Sequence, residues 1–506
     1  MFFSTSVANP FHMTAVAKTS GKSPEQQSAV SNDARSAYIA RRRAAWDKLA
    51  TEWALPTAAN ATYHRRLAEV YRWLVPSGSS VLEVGCGAGD LLAALNPVAG
   101  VGVDFSSQML AVARDRHPSL EFIETEASEF QSSRTFDFVI LSDLVNDVWD
   151  VQSVLECVLS HCHPATRLIV NFYSHLWAPP RAVAEYIGAA KPLSGQNWLT
   201  AHDMTNLLSL AGFDVVRRWQ EILCPFPVPG LERFANRVLV KSWPFKLAAM
   251  TNFIVARPHH SVRPPQESPT VSVIVPARNE AGNIDEIFKR VPEMGPWTEL
   301  IFVEGHSRDD TYAAIERGIA ANSQRTCKLF RQSGEGKADA VRLGFAKASG
   351  NILMILDADL TVAPEDLPRF VAALQSGQDE FISGVRLVYP MEDRAMRFMN
   401  IVGNKFFSVV FSWLLGQPIK DTLCGTKVLW KSDYQDIVDA RSYFGDFDPF
   451  GDFELLFGAA KLNRKIVEMP IRYRQRVYGE TNIHRWKHGW LLLKMSAFAA
   501  RRLKWV

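Results

Sequence analysis

Short apolar runs that end abruptly in charged or glycine residues recur along this chain of 506 residues. The clearest run is 352–356, which leads directly into Asp357, Ala358 and Asp359. A continuous apolar run of this length is typical of a parallel strand that is buried on both faces. Because two unpaired carboxylates cannot be buried in an apolar sheet, we expect Asp357 and Asp359 at the carboxyl edge, where open α/β sheets bind ligands.

Three other apolar runs in the same half of the chain end in a similar way. They are 271–275, 299–303 and 328–330. The residues that follow them include Pro276, Glu280, Glu304 and Lys337. Because the carboxyl ends of parallel strands meet at one edge, the pattern predicts a nucleotide-diphosphate site, with acidic groups for base and ribose and Lys337 for phosphate.

The Asp357-Ala358-Asp359 pattern has two interpretations. Two carboxylates one residue apart suit a hard divalent cation such as Mg²⁺ or Mn²⁺, which keeps open positions for substrate phosphates. The alternative is a strand-end turn whose aspartates are simply solvated. The three neighbouring strand ends favour the metal site.

The amino-terminal half combines a strand, a glycine turn and a helix. Residues 80–90 read SVLEVGCGAGD, in which Glu83 precedes three glycines, and a helical pattern follows. Glycine lets the backbone approach a ligand closely, and a helix start presents unpaired N–H groups. A second apolar strand ends at Asp104, where a carboxylate can bind both hydroxyls of a ribose. A third strand, 136–141, is followed by Asp143.

Composition divides the chain into segments of α/β character and segments without it. Four prolines within 256–270 mark a linker, so we expect the two halves to fold as separate domains. The predicted segments are a disordered leader at 1–34, an α/β domain at 35–257, a proline-rich linker at 258–270, a second α/β domain at 271–485, and a basic amphipathic helix at 486–506.

Overall composition narrows the class of protein. Hydrophobic residues make up 47% of the chain and charged residues 22%, which is typical of a soluble globular protein. The formal net charge of +3 and the lack of a basic stripe argue against nucleic acid as a partner. The six cysteines form no disulfide framework, and no apolar run is long enough to span a membrane. We therefore expect a cytoplasmic protein, at the inner face of the membrane.

Residues 60–257 resemble the class I S-adenosylmethionine-dependent methyltransferases. The motifs VLEVGCGAG, GVDFSSQML and FDFVILSD carry this resemblance, in this order. It implies a Rossmann-like fold and S-adenosylmethionine as cofactor. The residues expected to bind it are Glu83, Gly85, Gly87, Gly89, Asp104 and Asp143. The methyl acceptor is not identified, although Asn146, Tyr173, His175 and His202 are candidates to line its pocket. A nucleotide fold that has lost its ligand is the alternative.

Residues 271–485 resemble family 2 glycosyltransferases of the GT-A fold, most closely the dolichol-phosphate mannosyltransferase-like branch. The motifs are VIVPARNE, VEGHSRDDT, GKADAVRLGFAKASGNILMILDADL, ISGVRL, DTLCGTKVLW and RVYGET. The resemblance implies that Pro276, Glu280 and Glu304 frame the nucleotide base. Lys337 would approach the nucleotide, and Asp357 with Asp359 would hold the metal. It also implies that Arg386 and Arg476 meet the charge of the acceptor or the diphosphate.

This chain departs from the glycosyltransferase pattern at two positions. Glu304-Gly305-His306-Ser307 replaces the usual Asp-Asp-Gly-Ser element, with the loss of one carboxylate. Thr361 stands where some relatives carry Gln near the metal. Both departures leave the nucleotide and the sugar open.

The two resemblances together predict a bifunctional enzyme. One half would transfer a sugar from a nucleotide-diphospho-sugar to a polyprenyl phosphate or a glycan with inversion, and the other would methylate an unidentified acceptor. A polyprenyl phosphate is already an anion, whereas a sugar hydroxyl needs a general base, for which Asp452 and Glu454 are candidates. The alternative is a glycosyltransferase whose amino-terminal half is a non-catalytic S-adenosylmethionine-binding or scaffolding module.

The carboxyl-terminal segment at 486–506 also has two interpretations. Its basic and aromatic residues suit a helix that lies on an anionic membrane surface. The same pattern suits ordinary packing on the sheet, and the sequence does not decide between them. For the amphipathic helix predicted at 394–415, packing is favoured.

Overall fold

The chain was described with a computed structural model. The described residues are 24–52, 58–186, 196–259, 268–389, 398–441, 452–476, 478 and 485–506. Most of the predicted leader, the middle of the linker and the side chain of Asp452 lie outside the described residues. The first helix begins at Pro24, so the part of the predicted disordered leader that can be seen is helical.

The amino-terminal domain consists of alternating strands and helices. Its strands are β1 (Ser80–Val84), β2 (Ala99–Asp104), β3 (Glu121–Glu124), β4 (Phe136–Ser142), β5 (Cys162–Tyr173), β6 (Phe213–Glu221) and β7 (Thr251–Pro258). Its helices are α1 (Pro24–Glu52), α2 (Ala58–Leu74), α3 (Asp90–Ala94), α4 (Ser107–Arg116), α5 (Val151–Leu159), α6 (Ala178–Tyr186), α7 (Ala201–Leu210) and α8 (Leu231–Arg237).

The carboxyl-terminal domain repeats this alternation. Its strands are β8 (Val271–Ala277), β9 (Thr298–Glu304), β10 (Thr326–Arg331), β11 (Ile352–Ile355), β12 (Phe381–Val385), β13 (Lys427–Trp430) and β14 (Ile466–Pro470). Its helices are α9 (Ile284–Arg290), α10 (Thr311–Ala321), α11 (Lys337–Lys347), α12 (Leu367–Gln375), α13 (Phe398–Leu415), α14 (Lys431–Asp439), α15 (Asp452–Lys461) and α16 (Arg485–Ala499). A π-helical turn, Ala500–Lys504, follows α16.

Each domain is built on one seven-stranded sheet. The first has the order β3-β2-β1-β4-β5-β7-β6, with β1 to β5 parallel and β7 antiparallel to both of its neighbours. The second has the order β10-β9-β8-β11-β13-β12-β14, in which β8 to β11 are parallel and β13 is antiparallel to its neighbours. The predicted two-domain α/β architecture is confirmed.

Apolar residues cover both faces of each sheet, as the continuous hydrophobic runs predicted. On β1, Val81 packs in one apolar cluster, and Leu82 and Val84 pack in another on the opposite face. On β8, Ile274 and Val275 divide in the same way. Since both faces are filled, polar side chains can collect only at the sheet edges.

A buried ionic cluster joins the two domains. The carboxylate of Glu380, immediately before β12, is fully buried and lies 2.6 Å from Arg167 Nη2 on β5. Arg464 lies 3.4 Å from it and Arg257 lies 3.9 Å from it. Burial alone would raise the pKa of Glu380, but the three guanidiniums hold it well below its ordinary range. This contact joins the two halves in the folded chain, and their expected independent folding stays a prediction.

A second interdomain contact joins α2 to the carboxyl-terminal helices. Trp73 Nε1 donates a hydrogen bond of 3.1 Å to the carbonyl of Arg502, and Lys461 Nζ donates to the carbonyl of Trp73. Leu492 and Leu503 of the tail are buried in the core of the second domain. One face of the carboxyl-terminal helix therefore packs on the protein. Among the described helices, none is long and apolar enough to cross a bilayer.

Replacing Glu380 by Gln tests how much the buried ionic cluster contributes to the stability of the protein. The substitution leaves three buried arginines without their shared carboxylate, and loss of one partner from a buried ion pair costs about 3–5 kcal/mol. We expect the free energy of unfolding, from chemical denaturation, to fall by that amount. In the control Glu286→Gln, which breaks an exposed pair with Lys289, we expect a change within about 0.5 kcal/mol. Equal stability of the two variants would contradict the assignment.

Candidate functional site

Charged side chains collect at the carboxyl edge of the second sheet, where β11 ends. Asp357 follows the strand, and its Oδ1 lies 2.6 Å from Lys337 Nζ at the start of α11. Asp359 Oδ2 lies 2.6 Å from Arg476 Nη2, and its Oδ1 accepts a 2.8 Å hydrogen bond from the Thr361 hydroxyl. The structure therefore brings together four of the residues that the sequence assigned to this site.

The electrostatics of this site depend on close pairs of opposite charge. Burial alone would raise the pKa of Asp357, but the Lys337 ammonium outweighs it and holds the pKa below its ordinary value. Glu280 lies 3.1 Å from Arg476 Nη1. Burial raises the pKa of Glu280 to about 7, although Arg476 opposes this shift. One carboxylate is thus held ionised, while another titrates close to neutral pH.

Gly425, which the sequence analysis did not single out, allows Lys337 and Asp357 to approach the backbone. A Cβ atom at this position would overlap both Asp357 Oδ2 and Lys337 Nζ. The residue lies in the DTLCGTKVLW motif just before β13. A glycine directly before a predicted strand is the only sequence signal that could have pointed to it.

The residues expected near the nucleotide base lie at the ends of β8 and β9. Glu304 is buried, and it accepts a 2.5 Å hydrogen bond from the N–H of Ser307 and lies 3.3 Å from Arg331. Pro276 is half-buried in the last part of β8, where it is paired with Val303. The Glu304 carboxylate therefore shapes the turn after β9, and its role toward a nucleotide stays a prediction.

Two predicted site residues, Arg386 and Glu454, make their described ion pairs with other residues than Asp357 and Asp359. Arg386 is buried, and it makes two hydrogen bonds of 2.7 and 2.8 Å to the carboxylate of Asp421. Glu454 lies between Arg342, at 3.0 Å, and Arg441, at 3.2 Å. Their charges are paired in the structure, and their roles toward the acceptor stay predictions. The side chain of Asp452 lies outside the described residues.

The residues at the end of β11 fit a divalent cation in their donor chemistry. Among the described residues, no group of three or more His, Cys, Asp and Glu side chains is placed to hold a metal. Two carboxylates are nevertheless what Mg²⁺ commonly takes from a protein when substrate phosphates complete its shell. A diphosphate can take over Lys337 and Arg476, which leaves Asp357 and Asp359 for the cation.

The first sheet carries its own cluster at the carboxyl end of β1. Glu83 is buried, and its Oε2 has no hydrogen-bond partner among the described residues. The glycines that follow, Gly85, Gly87 and Gly89, have φ values of 75°, 52° and 74°. A Cβ added to Gly87 would meet nothing within 4 Å, so open space lies beside the loop. An orphaned carboxylate oxygen at the start of a glycine loop that has open space beside Gly87 fits a ligand that supplies hydroxyl or amino donors.

Asp104, at the end of β2, is tied to the backbone of the glycine loop. Its Oδ2 accepts the N–H of Gly87 at 2.9 Å, and its Oδ1 accepts the N–H of Ser106 at 2.9 Å. Each oxygen keeps a second lone pair for a ribose hydroxyl. The Asp104 carboxylate therefore orders the loop, and its predicted contact with a ribose remains compatible with this geometry.

Asp143, after β4, is the centre of a buried polar cluster. Both of its oxygens lie 2.9 Å from the hydroxyl of Tyr63, and Asn171 donates a 2.6 Å hydrogen bond to Oδ1. Burial raises the pKa of Asp143 to about 7. Tyr173 stacks on Tyr63 with a centroid distance of 6.0 Å. Of the other candidates for the acceptor pocket, Asn146 is buried and bonded to the backbone, whereas His175 and His202 are exposed.

Helix α1 packs across the edge that carries these residues. The hydroxyl of Ser106 donates a 2.5 Å hydrogen bond to Asp47 Oδ1, and Trp46 Nε1 donates one of 3.1 Å to Asp147. The sequence analysis did not identify these contacts, because the partners of a polar helix face are set by tertiary packing. The helix therefore covers part of the site that follows β2 and β4.

Comparison with known proteins assigns a family to each domain. The model for family 2 glycosyl transferases matches residues 272–435, and the model for a methyltransferase domain matches residues 47–218. The chain joins a methyltransferase domain to a family 2 glycosyltransferase domain. Both resemblances expected from the sequence are thereby confirmed. Lys337, Asp357 and Asp359 lie within the residues matched by the glycosyltransferase model, whereas Arg476 lies beyond them.

Individual relatives were found for both domains. The dolichol-phosphate mannosyltransferase of Pyrococcus furiosus is 28% identical over 242 residues, which cover 46% of this chain and 64% of that enzyme. An S-adenosylmethionine-dependent methyltransferase of Thermotoga maritima is 17% identical, with a TM-score of 0.31 and coverage of 39% of this chain and 90% of its own. The magnesium protoporphyrin IX methyltransferase of Synechocystis is 18% identical, with a TM-score of 0.29 and coverage of 40% and 85%.

Replacing Glu83 by Gln tests whether this carboxyl is protonated in the folded methyltransferase domain. Burial raises the pKa of Glu83 from 4.5 to about 8, so folding takes up a proton between these values. Below the ordinary pKa of 4.5, the stability that the protonated Glu83 contributes is fully present. That stability is lost as the pH rises through the folded-state pKa of about 8. We expect the free energy of unfolding of the wild type, relative to Glu83→Gln, to fall between about pH 5 and pH 8. Parallel curves in chemical denaturation without ligand would count against a buried neutral Glu83.

Proposed function

We propose that this protein transfers a sugar from a nucleotide-diphospho-sugar to a polyprenyl phosphate and, at a second site, transfers a methyl group from S-adenosylmethionine. The proposal for the sugar rests on one observation, the Asp357–Lys337 and Asp359–Arg476 pairs at the end of β11. Such a site offers two cations to a diphosphate and two carboxylates to a divalent ion. The similarity to a dolichol-phosphate mannosyltransferase supports a polyprenyl phosphate as acceptor.

In the proposed reaction, the bond between the anomeric carbon and the donor diphosphate breaks as the acceptor phosphate oxygen bonds to that carbon from the opposite face. The nucleoside diphosphate leaves with the electron pair, so negative charge grows on it. Lys337 and Arg476 stabilise this charge, because both lie beside the carboxylates that position them. An acceptor phosphate is already an anion, so no general base is needed.

Mg²⁺ or Mn²⁺, held by Asp357 and Asp359, would supply further neutralisation of the diphosphate. Thr361 donates its hydroxyl to Asp359 at 2.8 Å and keeps that carboxylate in place. Glu280 holds Arg476 from the other side at 3.1 Å. These contacts support positioning roles for Thr361 and for Glu280, which the sequence analysis expected to frame the base.

The methyltransferase domain is proposed to bind S-adenosylmethionine beside the glycine loop. The unpartnered oxygen of Glu83 accepts from the cofactor, and the second lone pairs of the Asp104 carboxylate accept from the ribose hydroxyls. The methyl acceptor enters near Asp143, Tyr63 and Tyr173. A binding module without methyl transfer is the second candidate, because Asp143 is already bonded to Tyr63 and Asn171.

Access to a lipid phosphate is proposed through an apolar face that spans both domains. On α13, Val402, Phe406 and Val409 are exposed at helical spacing and lead toward Trp413. Trp413 donates a 3.0 Å hydrogen bond to the carbonyl of Lys241. Beyond this contact, exposed apolar residues continue in the methyltransferase domain at Trp243, Phe245 and Leu247, and on α16 at Trp490 and Leu493.

Basic side chains border this apolar face and favour an anionic bilayer as its partner. The exposed ones are Lys246, Lys405, Lys494, Arg501 and Arg502. The sequence suggested membrane contact only for the carboxyl-terminal helix, where ordinary packing was the alternative. The described surface supports a wider proposal, in which α13 and the segment after Lys241 share the contact.

Asp359→Asn is the most direct test of the sugar-transfer site. The variant keeps the size of the side chain but removes the charge that pairs with Arg476, so transfer should fall by at least about 100-fold. A matched control is Asp285→Asn on the exposed face of α9, which should transfer at the wild-type rate. Transfer is measured with labelled nucleotide sugar and polyprenyl phosphate, with and without chelator. An active Asp359→Asn protein that ignores chelation would disprove the metal role.

Phe406→Ser and Phe245→Ser test the proposed membrane face. Each removes an exposed ring from one domain, and loss of a buried side chain of this size weakens partitioning by about tenfold. We expect both variants to sediment less with anionic vesicles than the wild type, and salt to weaken binding further. The control Val98→Ser changes an apolar residue that is 76% exposed at the start of β2, and it should bind as the wild type does. Equal sedimentation of all variants would place the membrane contact elsewhere.

A further inference from the structure

A cleft between the two domains carries an excess of positive charge. A cavity of about 30 Å³ lies where α2 and β6 face the end of α13 and the turn at 500–504. Its lining contains five basic side chains and one acidic one. The basic residues are Arg66, Arg217, Arg218, Lys241 and Lys504, and the acidic residue is Glu221. Arg218 is exposed, and Arg66 also pairs with Glu69 at 3.1 Å, so the buried excess of positive charge rests on the other cations. The last residue of the sequence, Val506, also lines the cleft.

Glu221 cannot neutralise the whole cluster. Its Oε1 accepts a 2.8 Å hydrogen bond from Trp219 Nε1 and is paired with Lys241. Its Oε2 lies 3.1 Å from Arg66 Nη2. Both oxygens are therefore engaged, and the two cations closest to Glu221 already share its single charge.

Among the described residues of this cleft, Arg217 makes no ion pair, although the charge of Glu221 acts on it from a distance. Its side chain belongs to a residue that is only 8% exposed, and its Nε and Nη2 have no hydrogen-bond partner among the described residues. The guanidinium lies 4.7 Å from the ring of Trp73 and 4.8 Å from the ring of Trp219. The two indoles orient the guanidinium by cation–π contact, but they do not accept its in-plane N–H groups. A buried guanidinium held in this way is ready for an acceptor.

Lys504 brings a second uncompensated cation from the other domain. It has no ion-pair partner among the described residues, and its Nζ lies 5.5 Å from the ring of Trp413. Burial, together with the charges of Lys241 and Arg217, lowers the pKa of Lys504 to about 7. Burial likewise lowers the pKa of Arg217 to about 9. An anion in the cleft would reverse these shifts, because it stabilises the protonated forms.

We propose that this interdomain cleft binds a small oxyanion of the phosphate class, held by Arg217 and Lys504. About 10–15 Å³ of such space holds one water molecule, so the cavity suits one phosphate group and is too small for a nucleotide. A planar guanidinium and an ammonium are the side chains that bind phosphate oxygens best. Because the two cations come from different domains, the bound anion stabilises the contact between them.

The test measures the thermal midpoint of the full chain while inorganic phosphate is raised through the low millimolar range at constant ionic strength. An anion that binds only the folded protein raises the midpoint along a saturating curve. We expect this curve for the wild type and for Arg233→Met, an exposed cation of α8 that serves as the control. In Arg217→Met the curve should vanish, and Lys504→Met should need several-fold more phosphate.

The same variants separate an anion site from a cleft filled with water. Without phosphate, Arg217→Met should be at least as stable as the wild type, because it removes an unpaired buried charge. If Arg217→Met fails to fold, Arg217→Lys replaces it in the test. This variant keeps the positive charge but loses the planar guanidinium, so it should bind phosphate more weakly. A second experiment measures binding of the same variants to vesicles that contain phosphatidic acid. If this binding depends on Arg217 and free phosphate has no effect, the oxyanion that the cleft binds is a lipid headgroup. If all variants respond alike to phosphate and to these vesicles, the proposal is wrong.

Discussion

Burying a charge without a partner is so costly that it decides where each polar group of this protein can lie. The two sheets are largely apolar on both faces, so the carboxylates at the ends of β2, β4 and β11 lie at the carboxyl edges. At the interface, Glu380 is fully buried only because three arginines surround it. At Asp357 the compensating charge is Lys337, at 2.6 Å. Arg217 lacks such compensation among the described residues, and it is this exception that points to a bound anion.

The arrangement of the domains keeps the two candidate sites apart. Glu380 precedes β12 and Arg167 lies toward the start of β5, so the ionic cluster joins the amino-terminal sides of both sheets. Asp143 and Asp357 follow their strands at the opposite edges. The proposed sugar and methyl transfers therefore use separate entrances, and the methyl acceptor does not have to be the glycosylated product. The interface fixes the relative position of the sites without connecting them.

Much of the fold could be predicted from local patterns, because short stretches of sequence are enough to recognise continuous apolar runs and glycine turns. The run at 352–356 predicted β11, and the polar residues after four strands predicted one shared edge. Long-range partners could not be predicted in the same way. Arg386 had the right charge for a ligand, but Asp421 binds it, and nothing local to either residue shows this pair.

The interface escaped the sequence analysis for a related reason. A proline-rich linker predicts independent domains, whereas Arg167 and Glu380 are 213 residues apart and neither stands in a recognisable motif. The described part of the predicted leader, from Pro24, belongs to helix α1. Further along this helix, Asp47 and Trp46 make tertiary hydrogen bonds with Ser106 and Asp147, which the composition of the leader does not show. Contacts between residues that are distant in sequence therefore could not be predicted without the structure.

The central claim is that one chain carries out both transfers. The direct measurement supplies the purified protein with a nucleotide sugar labelled in the sugar, S-adenosylmethionine labelled in the methyl group, Mn²⁺ and a membrane-lipid extract, and follows both labels into products. We expect the sugar label to appear in the lipid fraction. We expect the methyl label to appear in a product that also forms when the sugar donor is left out. Sugar label alone would support the binding-module alternative for the methyltransferase domain. Absence of sugar label from every product, across a panel of nucleotide sugars, would contradict the account.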